Sequence, residues 1–146
     1  KIVERSNISR QTFYRHFDDI YELIMWIFDH TTTGCTIFDD NKDFERSSVS
    51  FFSNVQKQSR LYRQVFLNDK DQIFYQRLLR TRINYAKKII GTKHLTDDLC
   101  FSIELYWTGH LHMVKKWINS GMKESPEVMG KRAYESLPAV LIQYYR

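Results

Sequence analysis

One nonapeptide near the start of the chain, Ser9-Arg10-Gln11-Thr12-Phe13-Tyr14-Arg15-His16-Phe17, admits few folded forms. Ser at its head is a favoured helix N-cap, because its hydroxyl accepts one of the backbone amides that the first helical turn leaves without a partner. Arg10, Gln11, Thr12, Arg15 and His16 put hydrogen-bonding groups on one side. Phe13, Tyr14 and Phe17 form an aromatic trio suited to lock the other side down. The pattern predicts a helix of about two turns from Ser9 through His16. A helix so short is marginal in water, so its neighbours must hold it.

The rest of the chain reads as helix too. Only five Gly and two Pro occur in 146 residues, which favours long uninterrupted helices over many short strands. No alternating pattern is long enough for a sheet, so the fold class is all-α. Lys1-Ile2-Val3-Glu4-Arg5 reads as the tail of a helix already under way, and Ser6-Asn7-Ile8 as a tight turn. Asp18 or Asp19 can cap a helix carrying Leu23, Ile24, Ile27 and Phe28. Residues 30–43 read as a loop or a frayed helix end. Helices are predicted over about 44–57, 59–67, 70–90 with Gly91 as terminator, and 96–120 with Thr96 as cap and Gly121 as end. A last helix opens at Ser125-Pro126 and runs to about 144, bent at Pro138.

Charge is segregated along the chain. Residues 1–17 sum to +3, 18–45 to −7, 46–96 to +9 and 97–146 to zero. A basic opening suits contact with a polyanion, and the acidic stretch behind it must point elsewhere. Two cysteines, Cys35 and Cys100, make neither a disulfide framework nor a metal site, and fit reduced thiols in a cytoplasmic protein. There is no run of about 18 apolar residues for a membrane span, and no signal peptide opens the chain.

The motif Asn7-Ile8-Ser9-Arg10-Gln11-Thr12-Phe13-Tyr14-Arg15-His16-Phe17, followed by Glu22-Leu23, resembles the TetR family of bacterial transcriptional regulators. Residues 21–28 and 117–127 resemble more narrowly the regulators associated with dihydroxyacetone kinase operons. The resemblance implies a TetR-like fold: a helix-turn-helix domain, here residues 1–18, and a larger helical domain, 19–146, that binds an inducer and dimerises. Two departures stand out. The family's opening helix is not in the sequence, and Ile20, with Asp18 and Asp19 beside it, stands where a phosphate-contacting Lys is frequent.

The N-terminal end of a recognition helix enters the major groove. Arg10 there can pair with guanine and Gln11 with adenine. Ser9 caps the helix. Thr12 can touch a thymine methyl or a phosphate, and Tyr14, Arg15 and His16 suit phosphate. Phe13 and Phe17 are expected inside. The effector is expected to be a small molecule or a protein, and Trp26, Phe66, Phe74, Tyr75, Tyr106 and His110 are candidates to line a cavity for it. Against this stands the plainer reading that they are core.

The 96–120 helix is apolar on more than one side. Leu99, Ile103, Tyr106, His110, Val114 and Trp117 make one stripe, and Phe101, Leu105 and His112 lie away from it. The second face, with Met129, Ala133, Leu137 and Leu141 of the last helix, is expected to form a homodimer interface, which implies a palindromic operator on double-stranded DNA. His110 and His112 diverge on the helix and cannot chelate one metal. The run Arg77, Arg80, Arg82, Lys87, Lys88 reads as a solvated face. No constellation for catalysis stands out, and no cofactor or metal is expected. The alternative reading is a co-regulator or interaction module on the same scaffold that has lost useful DNA affinity.

Overall fold

The computed structural model describes residues 9–32 and 44–145. The calls on residues 1–8, on Cys35 and on most of the 30–43 segment lie outside the described residues. Among the described residues eight α-helices follow in order: α1 Arg10–His16, α2 Ile20–Thr32, α3 Phe44–Lys57, α4 Ser59–Asn68, α5 Ile73–Ile90, α6 Asp97–Asn119, α7 Pro126–Glu135 and α8 Ala139–Ile142. A single 3-10 turn, Thr92–His94, links α5 to α6. No strand occurs among the described residues.

The chain divides into two compact units between Thr31 and Thr32. The first unit therefore keeps α2, and the division falls later than the boundary at residue 18 expected from sequence. In this unit the Ser9 hydroxyl accepts the Thr12 amide at 3.0 Å, as an N-cap does. Glu22 N donates to Asp19 Oδ1 at 2.8 Å and Asp18 N to Glu22 Oε2 at 2.5 Å. The two bonds start α2 much as a capping box does, with the Glu22 carboxylate taking the amide one residue before the cap.

In the second unit α3 lies along α7, its most extensive helix pairing, while α4 and α5 pack on α6 and α8 returns against α6. Trp107, Tyr62, Phe44, Phe52, Phe74, Leu78, Ile103, Ile118 and Leu141 have essentially no exposed surface and define the core. Asp69 is buried and its carboxylate accepts the amides of Phe74 at 3.0 Å and Tyr75 at 2.9 Å. It thus caps α5 from four residues upstream, and the predicted start at 70 moves to Ile73.

Helix α6 ends as its glycine predicts. Gly121 has φ 90°, Met122 N donates to Trp117 O at 2.9 Å and Gly121 N to Ile118 O at 3.2 Å. These two bonds are a Schellman cap, which satisfies carbonyls that the helix end would leave open. Ser125 and Pro126 then open α7, with the Val128 amide on the Ser125 hydroxyl. Pro138 does more than bend the last helix. Lacking an amide hydrogen, it breaks the run into α7 and a separate single turn, α8.

Candidate functional site

Two places carry chemistry, one in each unit. In the first, Ser9, Arg10, Gln11, Tyr14, Arg15 and His16 are exposed and Thr12 is half-buried. The Thr12 hydroxyl lies 2.9 Å from the Ser9 hydroxyl, so the two share one hydrogen at the head of α1. No acidic residue occupies the first turn of α1, and Arg15 and His16 occupy its last. Phe13 and Phe17 are half-buried, their ring centroids 5.8 Å apart. Tyr14 does not join them inside: it is 64% exposed. The third ring is Trp26 of α2, whose centroid lies 6.2 Å from that of Phe17. Trp26 in turn stacks on His30 at 3.8 Å, and the His30 ring bonds Trp26 O through Nδ1 at 2.8 Å.

In the second unit a cavity of about 730 Å³ opens among α3, α6 and α7. That volume falls in the range of small-molecule sites. Tyr106, His110, Met113 and Trp117 recur on one face of α6 and form its long wall. Phe52 closes it from α3, Met129 and Ala133 from α7, and Ser136 and Pro138 from the connection after α7. Leu105 and Gly109 stand at its outer edge, and Lys116, Ser120, Lys123, Glu124 and Arg132 supply the remaining polar groups.

His110 sits in an aromatic nest. Its ring centroid is 5.3–6.2 Å from those of Phe51, Phe52, Tyr106 and Trp107. Burial, aided by the charge of Arg82, pushes its pKa down to about 4, so it is neutral at physiological pH. The Tyr106 hydroxyl donates to Ala133 O at 2.8 Å and ties α6 to α7, and burial pushes its pKa upward. The Trp117 indole N–H donates to Glu124 O at 3.0 Å.

The cavity gathers Tyr106 and His110 but not the other four candidates. Trp26 belongs to the first unit. Phe66 and Phe74 pack ring to ring in the core with centroids 5.4 Å apart, and Tyr75 is buried with Lys115 Nζ 5.3 Å from its ring centre. Phe52, Met113, Trp117, Lys123 and Arg132 are cavity residues that sequence reasoning missed. Trp117 was findable, since it continues the Tyr106–His110 face at helical spacing.

The expected dimer face also separates into two sets. Phe101 is 69% and Leu105 62% exposed, and His112 is exposed. Met129, Ala133, Leu137 and Leu141 are instead buried within the chain. Their stripe is covered intramolecularly, where α7 meets α3 and α8 meets α6, so it is not left open for a second copy. Met113 at 48%, in its place, extends the exposed apolar face of α6.

Residues 42–138, about two-thirds of the chain, match the TetR-type family described as transcriptional regulator C-terminal region. The chain belongs to that family. It is therefore a regulator domain rather than an enzyme, and the all-α architecture is the family's own. No curated protein matches the regulator. Among the described residues no helix is long and apolar enough to cross a membrane, and no group of three metal-ligating side chains occurs.

Proposed function

We propose that this regulator binds double-stranded DNA as a homodimer through α1 and is controlled by a small-molecule effector held among α3, α6 and α7. The supporting observation is the exposed polar face of α1, with no carboxylate in its first turn. Arg10 and Gln11 lie at its N-terminal end, where side chains reach base edges, and Tyr14, Arg15 and His16 are placed for phosphate. A second copy covers Phe101, Leu105, His112 and Met113, which the chain itself leaves open. Two-fold symmetry then presents two recognition helices and requires a palindromic operator.

The exposed face and the cavity share Leu105 and Met113, and Gly109 between them. A molecule in the cavity therefore touches side chains that the partner also touches, which is the differential contact that effector control needs. The resemblance of residues 21–28 and 117–127 supports a kinship with regulators associated with dihydroxyacetone kinase operons.

Selection from a random duplex pool by the purified regulator tests the reading. Enrichment of a palindrome, bound more weakly as salt rises, is the expected result. A folded dimer that enriches nothing would favour the co-regulator alternative. Ile20 and the acidic Asp18, Asp19 and Glu22 at the start of α2, where phosphate would otherwise approach, are the features on that side.

A further inference from the structure

We propose that the effector is an apolar monoanion of carboxylate type, its head at the α6–α7 connection and its hydrocarbon body along the wall of Tyr106, His110 and Met129. The inference rests on the effector reading above and specifies its ligand.

Charge is the first argument. The cavity lining carries three cations, Lys116, Lys123 and Arg132, and one acid, Glu124. Glu124 Oε1 already lies 3.5 Å from Arg132 Nη1. The two other acids in ion pairs near these helices are matched as well: Glu104 holds Lys87 at 2.9 Å and Glu135 holds Lys131 at 3.7 Å. The lining thus offers the ammonium groups of Lys116 and Lys123 to an incoming anion, and offers a cation only a carboxylate that is already paired. A charge-assisted hydrogen bond to an ammonium is worth more than a neutral one, and the partly enclosed wall weakens screening.

The second argument is where the polarity lies. Lys116, Ser120, Lys123 and Glu124 fall at the C-terminal end of α6 and the connection after it. The wall beyond is mainly aromatic and aliphatic, and several of its polar atoms are occupied within the chain. The Tyr106 hydroxyl is bonded to Ala133 O, the Trp117 N–H to Glu124 O and the Ser120 hydroxyl to Trp117 O at 3.0 Å. His110 is uncharged. Such a wall asks little that is polar of the ligand body, so the fitting molecule is charged at one end and mostly apolar along its length. Lys116 also complements the dipole at the end of α6, a role Lys123 in the connection does not share.

The test titrates the full regulator with decanoate, decanol and decylammonium below their aggregation limits, by calorimetry and tryptophan emission. Nile red, which is neutral, reports separately on whether an apolar cavity is open. Decanoate is expected to bind at least tenfold more tightly than decanol and to displace Nile red, with decylammonium weakest. The double variant Lys116→Gln/Lys123→Gln should lose that preference while keeping decanol affinity and melting temperature. Nile red binding with equal affinity for decanoate and decanol would overturn the anion assignment and leave the cavity reading intact. Binding of neither Nile red nor any decyl compound to the folded protein would overturn both.

Discussion

Gly130 of α7 and Val49 of α3 meet so closely that a β-carbon on Gly130 would lie 2.5 Å from Val49 Cγ2, 2.6 Å from its amide nitrogen and 2.7 Å from its Cα. Two of these three atoms are backbone, and neither can rotate away. Alanine would ordinarily gain about 1 kcal/mol in a helix interior. Here overpacking reverses the sign, and Gly130→Ala is expected to cost about 2 kcal/mol net. The midpoint of urea denaturation measures it. An unchanged or raised midpoint would mean that α3 and α7 move apart without loss.

Gly109 is the opposite case. A β-carbon there would meet nothing within 4 Å, and the residue lies in the middle of α6 on its exposed side. Gly109→Ala should stabilise the single chain by roughly 0.5–1 kcal/mol. A partner helix crossing at this point would lose its closest approach, so the same substitution should weaken the dimer. Thermal melts read the first effect and sedimentation at several concentrations the second. A dimer of undiminished affinity would place the crossing elsewhere along α6.

Charge introduced into the two apolar sets should have different consequences. Leu105 is 62% exposed, and Leu105→Glu is expected to leave a folded monomer with native helix content. Leu141 has no exposed surface, so Leu141→Glu places a charge in the core and should unfold or aggregate the chain. Circular dichroism together with ultracentrifugation separates the outcomes. A folded monomer from Leu141→Glu would return that residue to the interface.

His110 should make stability depend on pH. Its folded pKa of about 4 lies below its ordinary value of 6.5, so the unfolded chain binds more protons between these limits. The contribution is complete above pH 6.5 and is lost as pH falls toward 4. Allowing for water in the cavity beside it, the loss is about 2 kcal/mol. His110→Phe keeps an aromatic ring and removes the titration, so the variant should gain about 2 kcal/mol on the parent as pH falls from 6.5 to 4. Parallel curves across that window would remove His110 as their cause.

On DNA, Arg10→Ala and Gln11→Ala should each cost roughly 1–3 kcal/mol and relax selectivity at one base pair. Arg15→Ala should weaken all duplexes alike and reduce the slope of affinity against salt by about one ion. Competition titrations at several salt concentrations distinguish the two behaviours. Equal losses on selected and random duplex for all three would leave no base-reading residue on α1.

The helix starts were legible because their chemistry is local. Ser9, Thr96 and Ser125-Pro126 each cap the helix that follows, as their residue types imply. Asp69 was not legible as a cap, because it acts across a turn from a position outside ordinary cap spacing. Periodicity found the stripe of Met129, Ala133, Leu137 and Leu141 but could not name what covers it. That partner proved to be within the chain, from a helix some 80 residues upstream in the case of α7. The cavity suffered the same ambiguity. Tyr106 and Phe74 are both large buried aromatics, and only the packing of α3 against α7 decides which one borders a space.

The three tryptophans are distributed so that each unit carries its own optical label. Trp26, 49% exposed and stacked on the His30 ring, will emit at longer wavelength and respond to acrylamide. Trp107 and Trp117, 1% and 3% exposed, will emit at shorter wavelength and resist the quencher. Trp117 borders the cavity, and the Trp26 ring lies 6.2 Å from that of Phe17, which ends α1, the helix proposed to contact DNA. One emission spectrum of the unlabelled protein, resolved by quenching, can therefore test the proposed binding of a small molecule and of DNA as two separate signals.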